Sequence, residues 1–294
     1  MNVCRKLKDT NLLSLPDGRT LSYAEYGNNK GLPVILFHGN HNSRLMYGAM
    51  PGSPFRQNLH LIVPDRPGFG LSDFYAPGTS LVNYPSDITF LVDSLGISEF
   101  AVFGYSGGGP SALACAWKMP ERVLSVGLFG SIGPLTAQSS AGILPLLRTI
   151  YRLSAKNEIA IRIPTGLVAF MVRHCLGFYL RLVYSQLPPI DKAVHLRLGL
   201  REALRSDRVE GFRQGGRASA YDIMLAGRWP IPLNEIQSPV YLWQGEQDLN
   251  VGGMGKLLAE KIPHCYPTFI PEAGHYWFFD HFGHILDKII GVDN

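Results

Sequence analysis

The sequence predicts an α/β protein built on a mostly parallel, doubly wound sheet, with a helical segment inserted between two of its strands. Over the first 130 residues, short β-branched or aromatic runs alternate with helical patterns, as crossover connections between parallel strands require. Between Pro134 and Pro232 the strand pattern gives way to helical periodicity. We therefore expect a core formed by residues 1–133 and 233–294 and a helical cap over 134–232.

Seven strands and two helices of the core can be predicted in order. The first strand alternates in period two, and those that follow it are continuous apolar runs, typical of strands that are buried on both faces. The strands are Thr20–Tyr26, Pro33–Phe37, Leu59–Val63, Phe100–Tyr105, Val123–Phe129, Pro239–Trp243 and Tyr266–Ile270. The helices lie between these strands, over Leu81–Leu95 and Gly107–Met119.

The composition excludes several classes of protein. With 294 residues, 46% of them hydrophobic, the chain is long and apolar enough to bury a large core. Its net charge of +4 is too small to indicate a nucleic-acid-binding protein. Only 17% of the residues are charged, against about 25% in an ordinary soluble protein, so a large share of the chain must be buried.

The pattern of cysteines and apolar runs predicts a cytoplasmic protein. The four cysteines are too far apart in sequence to suggest a disulfide framework or a metal-binding pair, and we expect free thiols in a reducing compartment. The N-terminus lacks the apolar run of a signal peptide. The most apolar stretch, Ile163–Leu187, is interrupted by Arg173, His174 and Arg181, which argues against a transmembrane helix.

The predicted cap is basic. It contains 14 Arg or Lys and 6 Asp or Glu, whereas the rest of the chain contains 13 basic and 17 acidic residues. Four arginines recur at helical spacing, which predicts that they share one helix face: Arg197, Arg201, Arg205 and Arg208. One interpretation is a solvated face paired with nearby acids, namely Glu202, Asp207 and Glu210. The other is a lid that contacts anionic acyl substrates or, weakly, a lipid interface.

The strongest local signal is the segment Gly104-Tyr105-Ser106-Gly107-Gly108, which follows a predicted strand and precedes a predicted helix. A serine on such a sharp turn projects its hydroxyl out of the backbone, and the flanking glycines leave the space that the turn needs. The start of the helix also favours developing negative charge near Ser106. We therefore expect Ser106 to be a nucleophile.

A serine hydroxyl needs an imidazole to accept its proton. His275 follows the last predicted strand, so its loop can reach Ser106 at the same edge of the sheet. The other histidines after Ser106 do not follow a predicted strand and are less able to reach Ser106. These are His174, His195, His264, His281 and His284. His38 also ends a strand, and we expect it to be packed or bonded to the backbone.

The acid that orients the imidazole should come from another strand end. Asp248 follows the strand at Pro239–Trp243 and is the expected partner, with Glu246 as its close competitor and Asp280 as a weaker one. The chain order Ser106, Asp248, His275 is the nucleophile, acid, histidine order of α/β-hydrolases.

With these motifs the chain resembles the α/β-hydrolase superfamily, and in particular its serine esterases and lipases with a helical cap. Phe37-His38-Gly39-Asn40 resembles the His-Gly-X loop of that family, and the segment Asp65–Ser72 resembles its D-x-x-G-x-G-x-S loop, which is structural. The resemblance implies that the backbone N–H groups of Asn40 and Gly107 form an oxyanion hole.

The chain also departs from the family in two places. The His38-Gly39-Asn40 loop resembles that of haloalkane dehalogenases, but those enzymes use an aspartate where this chain has Ser106. The usual Pro-Gly after His-Gly-X is replaced by His41-Asn42. We expect His41 to be solvent-exposed, with a position inside the pocket as the alternative.

The predicted function is hydrolysis of a carboxylic ester of a small or medium-sized apolar substrate through an acyl-enzyme. Tyr105, Tyr276 and Trp277 are predicted to line the acyl pocket, although core packing would explain the same aromatic residues. The alternatives are an acyltransferase, a perhydrolase, a C–C bond hydrolase or a ligand receptor without turnover. The sequence implies no metal and no other cofactor, and it fits a monomer or a homodimer.

Overall fold

A computed structural model of the chain describes residues 6–50, 58–156 and 158–291. Its strands are β1 (Lys6–Ser14), β2 (Thr20–Gly27), β3 (Leu32–Phe37), β4 (Leu59–Pro64), β5 (Phe100–Tyr105), β6 (Val123–Phe129), β7 (Val240–Gly245) and β8 (Cys265–Ile270). They form one sheet in the order β1-β2-β4-β3-β5-β6-β7-β8. From β4 to β8 all neighbours are parallel, and β1 and β2 extend the sheet in antiparallel pairs.

The predicted strands are confirmed, and β1 is an addition to them. β1 pairs only with β2, at the edge of the sheet, and its sequence mixes charged and apolar residues without the alternation that marks the inner strands. Leu12 of β1 is 64% exposed. An edge strand held by main-chain hydrogen bonds on one side leaves a weak pattern in the sequence, which explains why it was not predicted.

Helices cover both faces of the sheet. The core helices are α1 (Tyr84–Ser94), α2 (Gly109–Lys118), α10 (Met254–Lys261) and α11 (Phe278–Ile289). Along β3, Ile35 and Phe37 pack with the layer that contains α1 and α2, whereas Val34 and Leu36 pack with the layer that contains α11. The alternation places one apolar core on each side of the sheet, as the continuous apolar runs predict.

The regular secondary structure between β6 and β7 is helical in the described residues, with loops before α3 and after α9. It contains α3 (Pro145–Lys156), α4 (Glu158–His174), α5 (Leu176–Gln186), α6 (Pro189–Arg197), α7 (Leu200–Ala203), α8 (Arg205–Gly211) and α9 (Arg217–Gly227), which we call the helical segment. No helix in the described ranges is both long and apolar enough to cross a membrane.

The four arginines with helical spacing do not share one helix face, so that prediction was wrong. Gly199 has a φ of +60° and separates α6 from α7, and a further break at Leu204 separates α7 from α8. A left-handed residue cannot continue an α-helix, so the register changes there. As a result Arg197, Arg201 and Arg205 are exposed, whereas Arg208 turns toward the interior.

Three of the four cysteines lie within the described residues. Cys115, Cys175 and Cys265 are free thiols, in agreement with the prediction for them. The prediction for Cys4 falls outside the described residues.

Candidate active site

Ser106 lies on the sharp turn between β5 and α2. Its φ is +53°, a left-handed conformation that a side chain rarely adopts. A Cβ on Gly104 would lie 2.6 Å from the Cα of Gly109, and one on Gly108 would lie 2.3 Å from the carbonyl oxygen of Phe37. Both flanking glycines are therefore required by the close approach of backbone that the sequence predicted.

The two residues expected to form the oxyanion hole lie side by side. A Cβ built on Gly107 would come within 3.0 Å of the backbone nitrogen of Asn40. Gly107 also belongs to the 3-10 turn Ser106–Gly108 that leads into α2, where backbone N–H groups at the start of a helix have no helical partner. The loop after β3 and the turn after β5 thus bring both predicted donors close to Ser106.

His275 and Asp248 form a buried pair at the ends of β8 and β7. Nδ1 of His275 lies 2.6 Å from Oδ2 of Asp248. Oδ1 of Asp248 accepts a hydrogen bond from the backbone N–H of Asn250 at 2.9 Å, which fixes the carboxylate. The competing acids lie elsewhere, because Glu246 is exposed and Asp280 forms an ion pair with Arg197.

The electrostatics around His275 favour its protonated form. Burial lowers the pKa of His275, but the charge of Asp248, the hydrogen bond to it and the charge of Asp191 together raise the pKa above its ordinary value. An imidazole in these surroundings is a strong base for its type and is stabilised once it accepts a proton.

Among the residues that the structure describes, no hydrogen bond joins the side chains of Ser106 and His275. The ring of Tyr105, the residue before Ser106, lies 5.0 Å from the ring of His275. Catalytic hydrogen bonds are often long without substrate and shorten in the complex. The arrangement therefore brings the predicted nucleophile, base and orienting acid to the ends of β5, β8 and β7, at one edge of the sheet.

The three aromatic residues predicted to line the pocket differ in their surroundings. The hydroxyl of Tyr105 donates to the carbonyl of His275 at 3.3 Å, which ties the two loops together. Tyr276 is buried and interacts with the guanidinium of Arg208. Trp277 stacks on His281 with ring centres 3.7 Å apart, so its ring takes part in packing around α11. A role in substrate binding stays a prediction for all three.

His38 and His41 differ in their environments. His38 is buried, its Nδ1 lies 2.9 Å from the carbonyl of Gly39, and its Nε2 accepts a hydrogen bond from the backbone N–H of Arg66. The expectation of a backbone-bonded His38 is confirmed. The expectation of an exposed His41 was wrong, because Phe212 after α8 covers it, with ring centres 4.9 Å apart.

Asp191 is a functional candidate that sequence reasoning missed. It lies at the start of α6, and its carboxylate accepts hydrogen bonds from the backbone N–H groups of His275 at 3.2 Å and Tyr276 at 2.9 Å. A Cβ on Gly274 would lie 2.3 Å from Asp191, so glycine is needed for this approach. The sequence signal was slight: Asp191 is the first acid after the acid-free stretch 159–190.

Arg66 and Asp222 form a second missed feature, a buried ion pair beside the predicted oxyanion loop. Nη1 and Nη2 of Arg66 donate hydrogen bonds to the carboxylate oxygens of Asp222, at 2.8 and 2.7 Å. Nε of Arg66 also donates to the carbonyl of His38 at 2.9 Å. The pair connects α9 of the helical segment to the loops after β3 and β4, and so supports the backbone next to Asn40.

The described residues contain no group of three or more His, Cys, Asp or Glu side chains that could hold a metal ion.

Comparison with known proteins agrees with the fold. Residues 33–282 match the family described as the alpha/beta hydrolase fold. Over 149 residues the chain is 36% identical to 2-hydroxymuconate semialdehyde hydrolase of Pseudomonas putida, which covers 46% of this chain and 53% of that protein. It is 28% identical over 130 residues to a non-heme chloroperoxidase of Streptomyces lividans, covering 42% and 45%. The chain thus spans about half the length of each of these relatives.

Among solved structures, a thermophilic esterase from Thermogutta terrifontis superimposes with a TM-score of 0.66. The two chains are 21% identical, and the match covers 96% of this chain and 97% of the other. At this level of identity the likeness shows a shared fold.

Proposed function

This chain belongs to the alpha/beta hydrolase fold family, and we propose that it is a serine hydrolase that cleaves a carboxylic ester. The observation that carries the proposal is the buried Asp248–His275 pair beside a serine held at a φ of +53° on a glycine-flanked turn. We assign the catalytic core to residues 1–133 and 233–294 and the substrate-selecting cap to 134–232.

In the proposed mechanism His275 accepts the proton of Ser106 as Oγ attacks the ester carbonyl. The backbone N–H groups of Asn40 and Gly107 stabilise the oxyanion, and each contributes on the order of 10² to 10³ in rate. The protonated His275, oriented by Asp248, then gives the proton to the departing alcohol. Water repeats the attack on the acyl-enzyme and releases the acid, which restores Ser106.

The first prediction tests the nucleophile. Ser106→Ala should lower kcat for 4-nitrophenyl esters on the order of 10⁴-fold or more, because the acyl-enzyme can no longer form. The matched control is Ser185→Ala, since Ser185 is exposed on α5 and its hydroxyl makes surface contacts, donating to the carbonyl of Leu182 and accepting from the side-chain amide of Gln186. Labelling of the wild type, but not of Ser106→Ala, by a fluorophosphonate should accompany the loss. Turnover by Ser106→Ala equal to wild type would refute the proposal.

A second candidate function is hydrolysis of a carbon–carbon bond, which the partial likeness to 2-hydroxymuconate semialdehyde hydrolase favours. The same serine and histidine would serve that reaction. Turnover of 2-hydroxymuconate semialdehyde by an enzyme that reacts with fluorophosphonate but leaves a panel of esters intact would favour this candidate over the ester hydrolase.

A further inference from the structure

Arg208 is a cation enclosed between α8 and the loop after β3. Its guanidinium donates to the carbonyl of Asn40 and to Oδ1 of Asn42 at the long distances of 3.5 and 3.4 Å, and it interacts with the hydroxyl of Tyr276. In the described parts of the chain, no carboxylate forms an ion pair with it. The residue retains partial solvent exposure.

Two other interior arginines are paired with carboxylates. Arg44 contacts Asp65 at 2.7 Å and Glu210 at 2.6 Å, and Arg66 contacts Asp222 at 2.7 Å. Removing a charge from water costs several kcal/mol, and paired carboxylates offset that cost. Among the described residues, no carboxylate lies at ion-pair distance from Arg208 to offset this cost, so its position is better explained by an anion that binds there than by stability.

The neighbouring acid does not fill this role. The carboxylate of Asp207 accepts hydrogen bonds from the backbone N–H and the hydroxyl of Ser43, at 2.8 and 2.9 Å, and from the side chain of Asn42. It acts on the charge of Arg208 only from beyond ion-pair distance. Asp207 therefore fixes α8 to the core and leaves the guanidinium of Arg208 available.

Two histidines and three tyrosines around Arg208 are uncharged near neutral pH, whereas Asp207 and His275 are charged or chargeable groups that interact with it electrostatically. Burial and the arginine charge lower the pKa of His41 to about 3 and that of His195 to about 4. Burial raises the pKa values of the three tyrosines that interact with it, Tyr105, Tyr179 and Tyr276, above their ordinary value. Apart from Asp207 and His275, Arg208 is thus a positive charge that faces neutral rings and hydroxyl groups, and this environment can accommodate one negative charge.

The location of Arg208 connects it with the proposed chemistry. It contacts the carbonyl of Asn40, whose N–H group is assigned to the oxyanion hole, and the side chain of Tyr276, which follows His275. Resting on the proposed function, we infer that Arg208 binds a carboxylate carried by the ester substrate. A single planar guanidinium matches one carboxylate in charge and in geometry, whereas a phosphate dianion would require further cations.

The experiment compares esters that differ only in this charge. For the acyl side, the mono-4-nitrophenyl ester of adipic acid is compared with 4-nitrophenyl hexanoate. For the alcohol side, 4-acetoxybenzoate is compared with its methyl ester. We expect wild type to prefer the acidic member of one pair by at least about 10-fold in kcat/KM, and the responding pair identifies the side that carries the carboxylate.

Substitution of Arg208 should abolish this preference. In Arg208→Gln the acidic-to-neutral ratio of kcat/KM should fall by at least about 10-fold, to near the value expected without a preference, and Arg208→Lys should recover part of it because it retains the charge. Arg205→Gln is the matched control, since Arg205 is exposed on the same helix and should leave the ratio unchanged. Circular dichroism and melting temperature check that each variant is folded.

The outcomes separate the anion site from the proposed reaction. The role of Arg208 is overturned if Arg208→Gln lowers kcat/KM equally for both members of a pair, or if wild type shows no preference in either pair. In both cases ester hydrolysis still stands. If wild type hydrolyses no ester, the proposed function fails. The anion site is then tested by measuring, with calorimetry, the binding of adipate and of hexanoate to Ser106→Ala. Tighter binding of adipate that Arg208→Gln removes would support the site, and equal binding would overturn it.

Discussion

Asp191 contacts the loop that carries His275 from a helix that is distant in sequence. Its two carboxylate oxygens accept the N–H groups of His275 and Tyr276, so it holds the backbone of the histidine in place. Its charge also raises the pKa of His275, because a nearby anion favours the imidazolium. We therefore assign Asp191 as a positioning residue for the proposed reaction.

Asp191→Asn should shift the pH dependence of the reaction. The variant lacks the negative charge, so the pKa of His275 should fall, and the acid limb of kcat/KM for a neutral ester should move to lower pH. The rate on the plateau should drop about 10-fold because the imidazolium formed during attack is less stabilised. Stopped assays between pH 5 and 9 measure both effects.

The control for this variant is Asp280→Asn, which removes a carboxylate on α11 that is paired with Arg197 instead of with the histidine loop. A purely structural role of Asp191 would lower the plateau and leave the midpoint of the acid limb in place. An unshifted midpoint would therefore contradict the electrostatic role.

Residue identities at the site were predictable only in part. Ser106, Asp248 and His275 were found because each follows a recognisable strand, and parallel strands end at one edge of the sheet. Asp191 lies 84 residues from His275, and no local pattern marks such a contact. Arg208 was grouped with exposed arginines because periodicity cannot show that a glycine interrupts the helix.

Among the elements, the turn between β5 and α2 is the most tightly constrained. Backbone from β3, from the turn itself and from α2 meets there without space for a side chain at Gly104 or Gly108. The local sequence was sufficient to predict this turn, because the glycine spacing is itself the steric requirement.

Gly108→Ala should destabilise the protein by at least about 2 kcal/mol, since the added methyl group would lie 2.3 Å from the carbonyl oxygen of Phe37 and the backbone must move. The free energy of unfolding in urea measures the effect. Gly166→Ala is the matched control, because Gly166 is an exposed position of α4 with nothing within 4 Å of the added atom. That variant should gain up to about 1 kcal/mol from helix propensity. Equal stability of both variants would show that the turn relaxes freely.

At the scale of the whole molecule, the low content of charged residues follows from the architecture. All six positions of β4 and of β5 are buried, and helices cover both faces of the sheet. The strand pattern was sufficient to predict this arrangement. The helical segment was predictable as helical, but the packing of its helices depends on contacts with distant loops that composition does not encode.

Buried histidines should make the folded chain sensitive to acid. The folded-state pKa of His195 is about 4, lowered by burial and by Arg208, whereas an ordinary histidine titrates near about 6.5. Between these values the unfolded chain binds a proton that the folded chain does not. His195 therefore makes the free energy of unfolding fall as pH decreases, by up to about 1.4 kcal/mol per pH unit. Asp207 acts in the opposite sense between about 4 and 6, because burial raises its pKa to about 6.

His195→Gln isolates the contribution of the histidine. Its free energy of unfolding, measured by urea titration at pH 6.5, 5.5 and 4.5, should depend less steeply on pH than that of wild type. His264→Gln serves as the control because His264 is exposed. Parallel curves for wild type and His195→Gln would mean that His195 titrates alike in the folded and unfolded chains.

The attachment of α8 to the core has a consequence for protein engineering. Three residues of α8 contact the loop after β3. Asp207 contacts Ser43, Arg208 contacts Asn40, and Glu210 contacts Arg44. A chimaera that receives this helical segment without residues 40–44 would bury several polar groups without partners. Transfer of substrate preference to a related scaffold should therefore succeed only when the helix and the loop are exchanged together as a matched pair.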